Sequence, residues 1–198
     1  MPKAALRAEL SIFDWVHGLA QIPAREFDNE HIPRYISEHA IERSSLEPFI
    51  FFSSRRYTRN LVFKNNVFEC LLICWDIGQS SAIHDHNGKS GWIYLVDGRL
   101  FVQNYVVEAR DIVHRTCRLI PTTTAELAGG HPAFIEKEQN VHKVCNVAGY
   151  GRRAISVHVY QQPMSECEIY ALETGTYQVV SLSYTSEYGR LCPGMSLD

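Results

Sequence analysis

From about residue 50 onward, the sequence consists of short apolar runs separated by turn residues. The runs are rich in Val, Ile, Tyr, Phe and Thr, and they recur at roughly the eight- to twelve-residue spacing that is typical of all-β sandwiches and barrels. Residues that tolerate positive φ lie between the runs, at Asn65-Asn66, Asn87-Gly88, Asp97-Gly98 and Gly129-Gly130. Of these turns, Asp97-Gly98 is the strongest signal for a β-hairpin. The pattern predicts a mainly β fold.

The N-terminal segment has a helical pattern instead. Between Leu6 and Leu19, apolar residues recur at three- and four-residue steps, which predicts an amphipathic helix. A second helix is predicted over 36–46. The predicted strands cover 57–63, 67–75, 81–86, 92–96, 100–108, 115–121, 133–135, 142–146, 154–160 and 168–183, the last of them broken at Gly175. Helices therefore precede the strands.

The length of 198 residues fits one domain, because typical domains span ~100–200 residues. We expect a helical N-terminal part over 1–50, a β-barrel over 51–185 and a tail over 186–198 that wraps the surface or is loose. Hydrophobic residues make up 45% of the chain and charged residues 21%, which excludes a disordered or low-complexity protein.

Charge and hydropathy exclude two classes of partner. The formal net charge is -3 and no basic run is longer than a pair, so the chain lacks the positive surface of a nucleic-acid-binding protein. No apolar stretch approaches the ~20 residues that a membrane-spanning helix needs. Charged residues such as Lys3 and Arg7 interrupt the N-terminus before a signal-like apolar region develops, which predicts a cytoplasmic protein.

The cysteines are few for this length and include no Cys-x-x-Cys pair, so we expect reduced thiols rather than a disulfide framework. They are Cys70, Cys74, Cys117, Cys145, Cys167 and Cys192.

The most informative residues are three histidines. His84 and His86 lie at i and i+2 in a predicted strand, so both imidazoles point to the same face and can bind one metal ion. His142 offers a third imidazole from another predicted strand and is followed by Asn146. The alternative is that these are unrelated core or surface histidines, but their spacing within turn-flanked strands favours a metal site.

These residues resemble the two split motifs of the cupin superfamily. The motif positions are Gly78, His84, His86, Gly98, His142 and Asn146. The resemblance implies a single cupin domain, a jelly-roll-like β-barrel that follows the N-terminal helices. The carboxylate that usually follows His-x-His in cupins has no counterpart within 87–91. The resemblance therefore implies a ligand set of three neutral histidines.

Five segments in order resemble the thiol dioxygenases, and specifically the cysteine dioxygenase family. They are Tyr57-Thr58-Arg59-Asn60-Leu61-Val62, Cys74-Trp75, Ile83-His84-Asp85-His86, His142-Lys143-Val144 and Ser156-Val157-His158-Val159-Tyr160. The resemblance spans about residues 50 to 165. It implies an enzyme that converts L-cysteine and O₂ to cysteine sulfinate. It also implies one Fe(II) per chain, bound by His84, His86 and His142.

The resemblance also implies roles for residues around the metal. Ser156, His158 and Tyr160 alternate along one strand, so a hydroxyl, an imidazole and a phenol share one face. In the family this trio forms a hydrogen-bond relay that places the tyrosine hydroxyl beside the substrate. The alternative for each of the three is an ordinary polar residue on a solvated strand face.

Arg59 is the predicted specificity residue, and Tyr57 shares its strand face. A guanidinium presents paired donors that suit a carboxylate. Cysteine dioxygenases have Arg at this position, whereas 3-mercaptopropionate dioxygenases generally have Gln. The alternative is a surface ion pair, because Arg55 and Arg56 nearby have the character of solvated residues.

One departure from the animal enzymes concerns Gly91. There the corresponding residue is a cysteine that forms a thioether with the active-site tyrosine, so Tyr160 is expected to remain an unmodified phenol. Two other functions stay open: a dioxygenase for 3-mercaptopropionate or another small thiol, and a metal-binding cupin without catalytic activity. The oligomeric state is also open, with a monomer favoured.

Overall fold

The structure is a computed structural model that describes residues 8–128, 132–135 and 141–198. The predicted turn at Gly129-Gly130 lies outside the described residues. No helix in the described ranges is long and apolar enough to cross a membrane. The six cysteines are all free.

The N-terminal part contains two short helices and a two-stranded sheet. Its elements are β1 (Ala8–Leu10), α1 (Ile12–Ala20), α2 (His31–Glu38) and β2 (His39–Ile41), followed by a 3₁₀ helix over Arg43–Phe49. The Ser11 side chain caps α1 by accepting the Asp14 amide at 3.2 Å. The buried face of α1, which packs on the core, is formed by Ile12, Trp15, Val16 and Leu19.

Both helix predictions need correction at their boundaries. The first helix is shorter than 6–19, because residues 8–10 pair in parallel with β2 instead. The second helix covers residues 31–38 rather than 36–46. It starts early because the Asp28 carboxylate accepts the backbone amides of Glu30 and His31, each at 2.9 Å. It ends early because β2 pairs with β1.

The regular elements in the remainder of the described chain are mainly strands. The elements are β3 (Thr58–Lys64), β4 (Phe68–Trp75), β5 (Ile83–His84), β6 (Gly91–Asp97), β7 (Arg99–Asp111), β8 (Thr116–Ala128), β9 (Pro132–Ile135), β10 (Val141–Cys145), β11 (Ala154–Gln161), β12 (Glu166–Ala171), β13 (Thr176–Ser181), β14 (Ser186–Glu187) and β15 (Arg190–Leu191). One sheet has the order β15-β14-β3-β4-β11-β6-β9, and the other closes as β10-β5-β12-β13-β8-β7. This arrangement confirms the predicted mainly β cupin fold.

Strand β4 separates two hydrophobic clusters, one on each of its faces. Its alternate residues Cys70 and Cys74 pack in the cluster that includes the N-terminal helices. The intervening Leu71 and Trp75 belong to the cluster inside the barrel, together with Tyr160. All eight residues of β4 are buried, and all but Glu69 are apolar.

The predicted hairpin at Asp97-Gly98 is wrong, although the chain does turn there. The turn joins β6 of one sheet to β7 of the other, so the two strands do not pair. Gly98 has φ +83, and a Cβ at this position would overlap the carbonyl oxygen of Arg153 and the Cα of Ala154. Glycine is therefore required by both the backbone conformation and the close approach of β11.

The C-terminal segment is attached to the larger sheet. Strand β14 pairs in parallel with β3, and β15 folds back on β14. The Ser186 hydroxyl donates to the Asn60 side chain at 2.9 Å, and the Ser54 amide donates to the Leu197 carbonyl at 3.2 Å. Residues 186–191 thus form part of the sheet, whereas the sequence placed them in a tail.

Candidate active site

The three histidines singled out in the sequence lie together inside the barrel. His84 is on β5, His86 follows it in the next loop, and His142 on β10 pairs directly with His84. One ring nitrogen from each lies within 4.8 Å of the others. The Nδ1 atom of His84 is 3.0 Å from the Ala82 carbonyl, which leaves its Nε2 available to the cluster.

The environment of these histidines suits a divalent cation. His86 is fully buried, yet neither of its ring nitrogens has a hydrogen-bond partner, and Nδ1 of His142 is also unpartnered. Burial lowers the pKa of His84 to about 4 and holds the pKa values of His86 and His142 well below the ordinary histidine range. The imidazoles are therefore neutral, which is the form that binds metals. Buried unpartnered nitrogens are costly unless a ligand occupies them.

The backbone of the loop that carries His86 is held in place by the residues directly before and after it. Asn87 and Gly88 adopt φ 51 and 69 and turn the chain directly after His86. Asp85 points away from the histidine cluster and exchanges two hydrogen bonds with Glu168 on β12: its carboxylate accepts the Glu168 amide at 2.8 Å, and its own amide donates to the Glu168 carbonyl at 3.1 Å. Asp85, Asn87 and Gly88 therefore fix the backbone around His84 and His86, although none of the three is a proposed metal ligand.

The three relay residues form a continuous hydrogen-bonded chain on β11. The Ser156 hydroxyl is 2.8 Å from Nε2 of His158, and Nδ1 of His158 is 3.0 Å from the Tyr160 hydroxyl. The Trp75 indole donates to Ser156 at 2.9 Å. Because the indole is only a donor, the Ser156 oxygen accepts from it and the Ser156 hydroxyl can donate to Nε2 of His158. The Nδ1–H group of His158 can then donate to the Tyr160 oxygen, which leaves the Tyr160 hydroxyl hydrogen free to face the cavity.

Burial sets the protonation states of this chain of residues. It lowers the pKa of His158 to about 3 and raises the pKa of Tyr160 above its ordinary value. At neutral pH the imidazole is neutral and the phenol keeps its proton. The Tyr160 ring centroid lies 5.1 Å from that of His86, so the phenol stands next to the histidine cluster.

Arg59 enters the same cavity from β3. Its Nε and Nη2 atoms are buried without a hydrogen-bond partner, and it forms no ion pair within the described part of the chain. Tyr57 lies beside it, with its ring stacked on Trp75 at a centroid distance of 4.6 Å. Arg56, in contrast, is exposed. Two buried guanidinium nitrogens without an anion favour the substrate-binding interpretation over a surface ion pair.

The cavity between these groups has a volume of about 110 Å³. The predicted residues Tyr57, Arg59, His84, His86 and Tyr160 line it. No role in the site was predicted from the sequence for the other lining residues, which are Ala82, Asp85, Met164, Cys167, Ile169, Val180 and Leu182. Most of them are apolar or small side chains on β12, β13 and the adjoining loops, where no motif marks them. Burial raises the pKa of the Cys167 thiol to about 11, so this thiol is protonated.

Acidification is expected to destabilise the metal-free protein. The unfolded chain binds protons on histidine near pH 6.5, whereas His158 stays neutral in the folded state down to about pH 3. Stability is therefore fully present above pH 6.5 and declines as the pH falls below it. We expect a loss of about 2 kcal/mol from His158 between pH 7 and pH 5, measured by urea unfolding. The loss in the variant His158→Gln should be smaller by this amount, and equal losses would contradict the burial of a neutral imidazole.

Gly91 lies directly opposite Tyr160 in the sheet. A Cβ at residue 91 would lie 3.1 Å from Cε1 and 3.0 Å from Cδ1 of the tyrosine. We expect the variant Gly91→Cys, incubated aerobically with iron and thiol, to form a thioether and lose two hydrogen atoms in intact-protein mass. Gly91→Ser adds similar bulk without a nucleophilic sulfur and should keep its calculated mass. An unchanged mass for Gly91→Cys would contradict this placement of the ring edge.

Comparison with known proteins identifies one family. The family model described as cysteine dioxygenase type I matches residues 9–173. The cysteine dioxygenase type 1 of Danio rerio is 30% identical over 146 residues, covering 73% of this chain and 71% of that protein. The Homo sapiens protein of the same name is 24% identical over 169 residues, covering 85% of this chain and 82% of that protein.

Solved structures with similar folds are more distant. A Klebsiella pneumoniae protein with a double-stranded β-helix domain is 16% identical with a TM-score of 0.46, covering 70% of this chain and 96% of that chain. A cupin superfamily protein from Desulfitobacterium hafniense is 9% identical with a TM-score of 0.41, covering 58% of this chain and 84% of that chain. The cupin fold of this chain rests on its own strand pairing.

Proposed function

This chain belongs to the cysteine dioxygenase type I family and is a thiol dioxygenase of the cupin superfamily, and from that premise we propose that it converts L-cysteine and O₂ to cysteine sulfinate with one Fe(II) per chain. The observation that carries the choice of substrate is the half-buried Arg59, whose guanidinium lines a small cavity beside the neutral histidines with two buried nitrogens unpartnered.

His84, His86 and His142 would hold the iron. When bound, Fe(II) supplies the redox chemistry that joins O₂ to the thiol sulfur. The three imidazoles carry no charge, so they do not neutralise the cation, and an anionic thiolate substrate is attracted to the site. Three protein ligands also leave coordination positions for small molecules. Geometry and neutral protonation support this assignment.

Arg59 would bind the substrate carboxylate, with Tyr57 beside it. A paired-donor guanidinium orients a carboxylate more strictly than a single ammonium does. A volume of about 110 Å³ suits a short amino acid rather than a peptide. Fixing the carboxylate at one end of the cavity would direct the thiol of a short substrate towards the histidines.

Tyr160 would act as a hydrogen-bond donor to the reacting group. Its raised pKa keeps the proton on the hydroxyl at neutral pH, and the contact to His158 orients that hydroxyl. Ser156 in turn holds His158. Such an oriented donor stabilises negative charge as it develops inside a protein cavity.

The proposal also covers the setting of the enzyme. Its partners are a small thiol and O₂, and we favour a monomer. Free cysteines are typical of a reducing compartment, which supports the cytoplasm.

Oxygen uptake tests the proposal. The protein is loaded anaerobically with Fe(II), and O₂ consumption is followed with L-cysteine, 3-mercaptopropionate and cysteamine. We expect strong preference for L-cysteine. Preference for 3-mercaptopropionate would keep the chemistry but overturn the substrate. No uptake by iron-loaded protein with any of the three would overturn the reaction and favour a metal-binding cupin without catalytic activity.

A further inference from the structure

Glu69 is a carboxylate buried inside the barrel, and the relay and the histidine cluster do not include it. It lies on β4 and is 0% exposed. Its Oε1 atom accepts the backbone amide of Met164 at 3.2 Å, and its Oε2 atom accepts the hydroxyl of Tyr184 at 2.5 Å. In the strand register, Glu69 lies directly opposite Tyr160 on β11. A carboxylate in such a place is tolerated only when donors satisfy it.

The two donors come from two separate segments beside the candidate substrate cavity. Met164 lines the cavity and lies in the segment between β11 and β12. Tyr184 follows Leu182, which also lines the cavity. A further hydrogen bond, from the Leu182 amide to the Ser165 carbonyl at 2.8 Å, joins the same two segments. Glu69 therefore connects both segments to β4.

The segment before Met164 has an irregular backbone. Gln162 adopts φ 65, outside the region that most side chains prefer. The Gln162 amide donates to the Val67 carbonyl at 2.7 Å, and the Lys89 ammonium donates to the Pro163 carbonyl at 2.8 Å. In this segment, Met164 is the residue whose side chain lines the cavity, and its amide is held by the hydrogen bond to Glu69.

We propose that Glu69 is a positioning residue that sets the width of the substrate cavity by tying its Met164 and Leu182 walls together. The inference rests on the proposed function, because it concerns the thiol that the cavity admits. A narrow, fixed cavity favours a short thiol over one that is a methylene longer. Loosening the walls reduces this discrimination, since the longer thiol then fits and the shorter one is held less well.

Steady-state kinetics of iron-loaded variants with L-cysteine and L-homocysteine test the proposal. In Glu69→Leu we expect kcat/KM for L-cysteine to fall by about tenfold, with little loss for L-homocysteine, so that the preference also falls by about tenfold. Glu69→Gln should retain most of the preference, because an amide can accept the Met164 amide and donate to the Tyr184 oxygen. Tyr184→Phe should lose part of it.

Cys70→Ala is the matched control. Cys70 is the next residue on β4, is equally buried and faces the other core. Its truncation should lower stability and leave the preference between the two thiols unchanged. A preference in Glu69→Leu equal to that of Cys70→Ala would overturn the proposal. Should Glu69→Leu fail to fold, Tyr184→Phe decides, because it removes one of the two bonds and keeps the ring.

Amide hydrogen exchange of the metal-free protein gives a readout that does not depend on turnover. In Glu69→Leu, the amides of Met164 and Leu182 should exchange at least several-fold faster than in the wild type, while the amide of Val159 within β11 keeps its rate. An unchanged exchange rate at the Met164 amide would overturn the proposed positioning role of Glu69. If the wild type oxidises no thiol but the exchange rates respond as expected, the proposed function is wrong, whereas the positioning role of Glu69 is supported.

Discussion

Replacement of Arg59 by glutamine is expected to lower kcat/KM for L-cysteine by roughly a hundredfold to a thousandfold, the usual cost of removing one partner of a buried charge pair. Turnover of cysteamine, which lacks a carboxylate, should change by less than about threefold, because no charge pair is lost with this thiol. The measurement is O₂ uptake by iron-loaded protein across a range of both thiol concentrations.

Arg56→Gln is the matched control for this prediction. Arg56 is exposed and lies three residues before Arg59, so its loss removes the same charge without touching the buried guanidinium. It should leave L-cysteine turnover almost unchanged. A parallel loss for L-cysteine and cysteamine in Arg59→Gln would show that Arg59 supports the fold of the site instead of binding a carboxylate.

Substitution of His142 by alanine is expected to abolish stoichiometric iron binding and all thiol oxidation. Loss of groups that merely orient a metal ligand typically lowers affinity by about 10–100-fold, and loss of a ligand should lower it further. Metal content after anaerobic loading and desalting, followed by Co(II) titration, provides the measurement. His114→Ala is the control, because His114 is an exposed histidine outside the cluster. Retention of one iron per chain in His142→Ala would contradict the three-histidine site.

Sequence alone predicted the parts of the site that depend on local alternation. Ser156 and His158 share a face because a strand has a period of two residues, and the structure brings them together on β11. His84 and His86 also meet at one cluster, although the strand predicted for both ends at His84 and His86 lies in the loop that follows. Arg59 was predicted to bind a substrate carboxylate; the structure places it on the lining of the cavity, and its role stays a prediction.

The errors have non-local causes. The Asp97-Gly98 turn was recognisable, but the sequence does not say that the chain passes into the other sheet there. The second helix was misplaced because residues 39–41 pair with β1, a contact across about thirty residues of chain. Met164 and Leu182 belong to no motif, and they reach the cavity only through the packing of separate segments.

The most direct test of the central claim uses ¹⁸O₂. Iron-loaded protein is mixed with L-cysteine under ¹⁸O₂ in unlabelled water, and the product is analysed by mass spectrometry. A cysteine dioxygenase incorporates both atoms of one O₂ molecule, so we predict cysteine sulfinate that carries two ¹⁸O atoms. Cystine without ¹⁸O, or sulfinate with only one labelled oxygen, would contradict the proposed reaction.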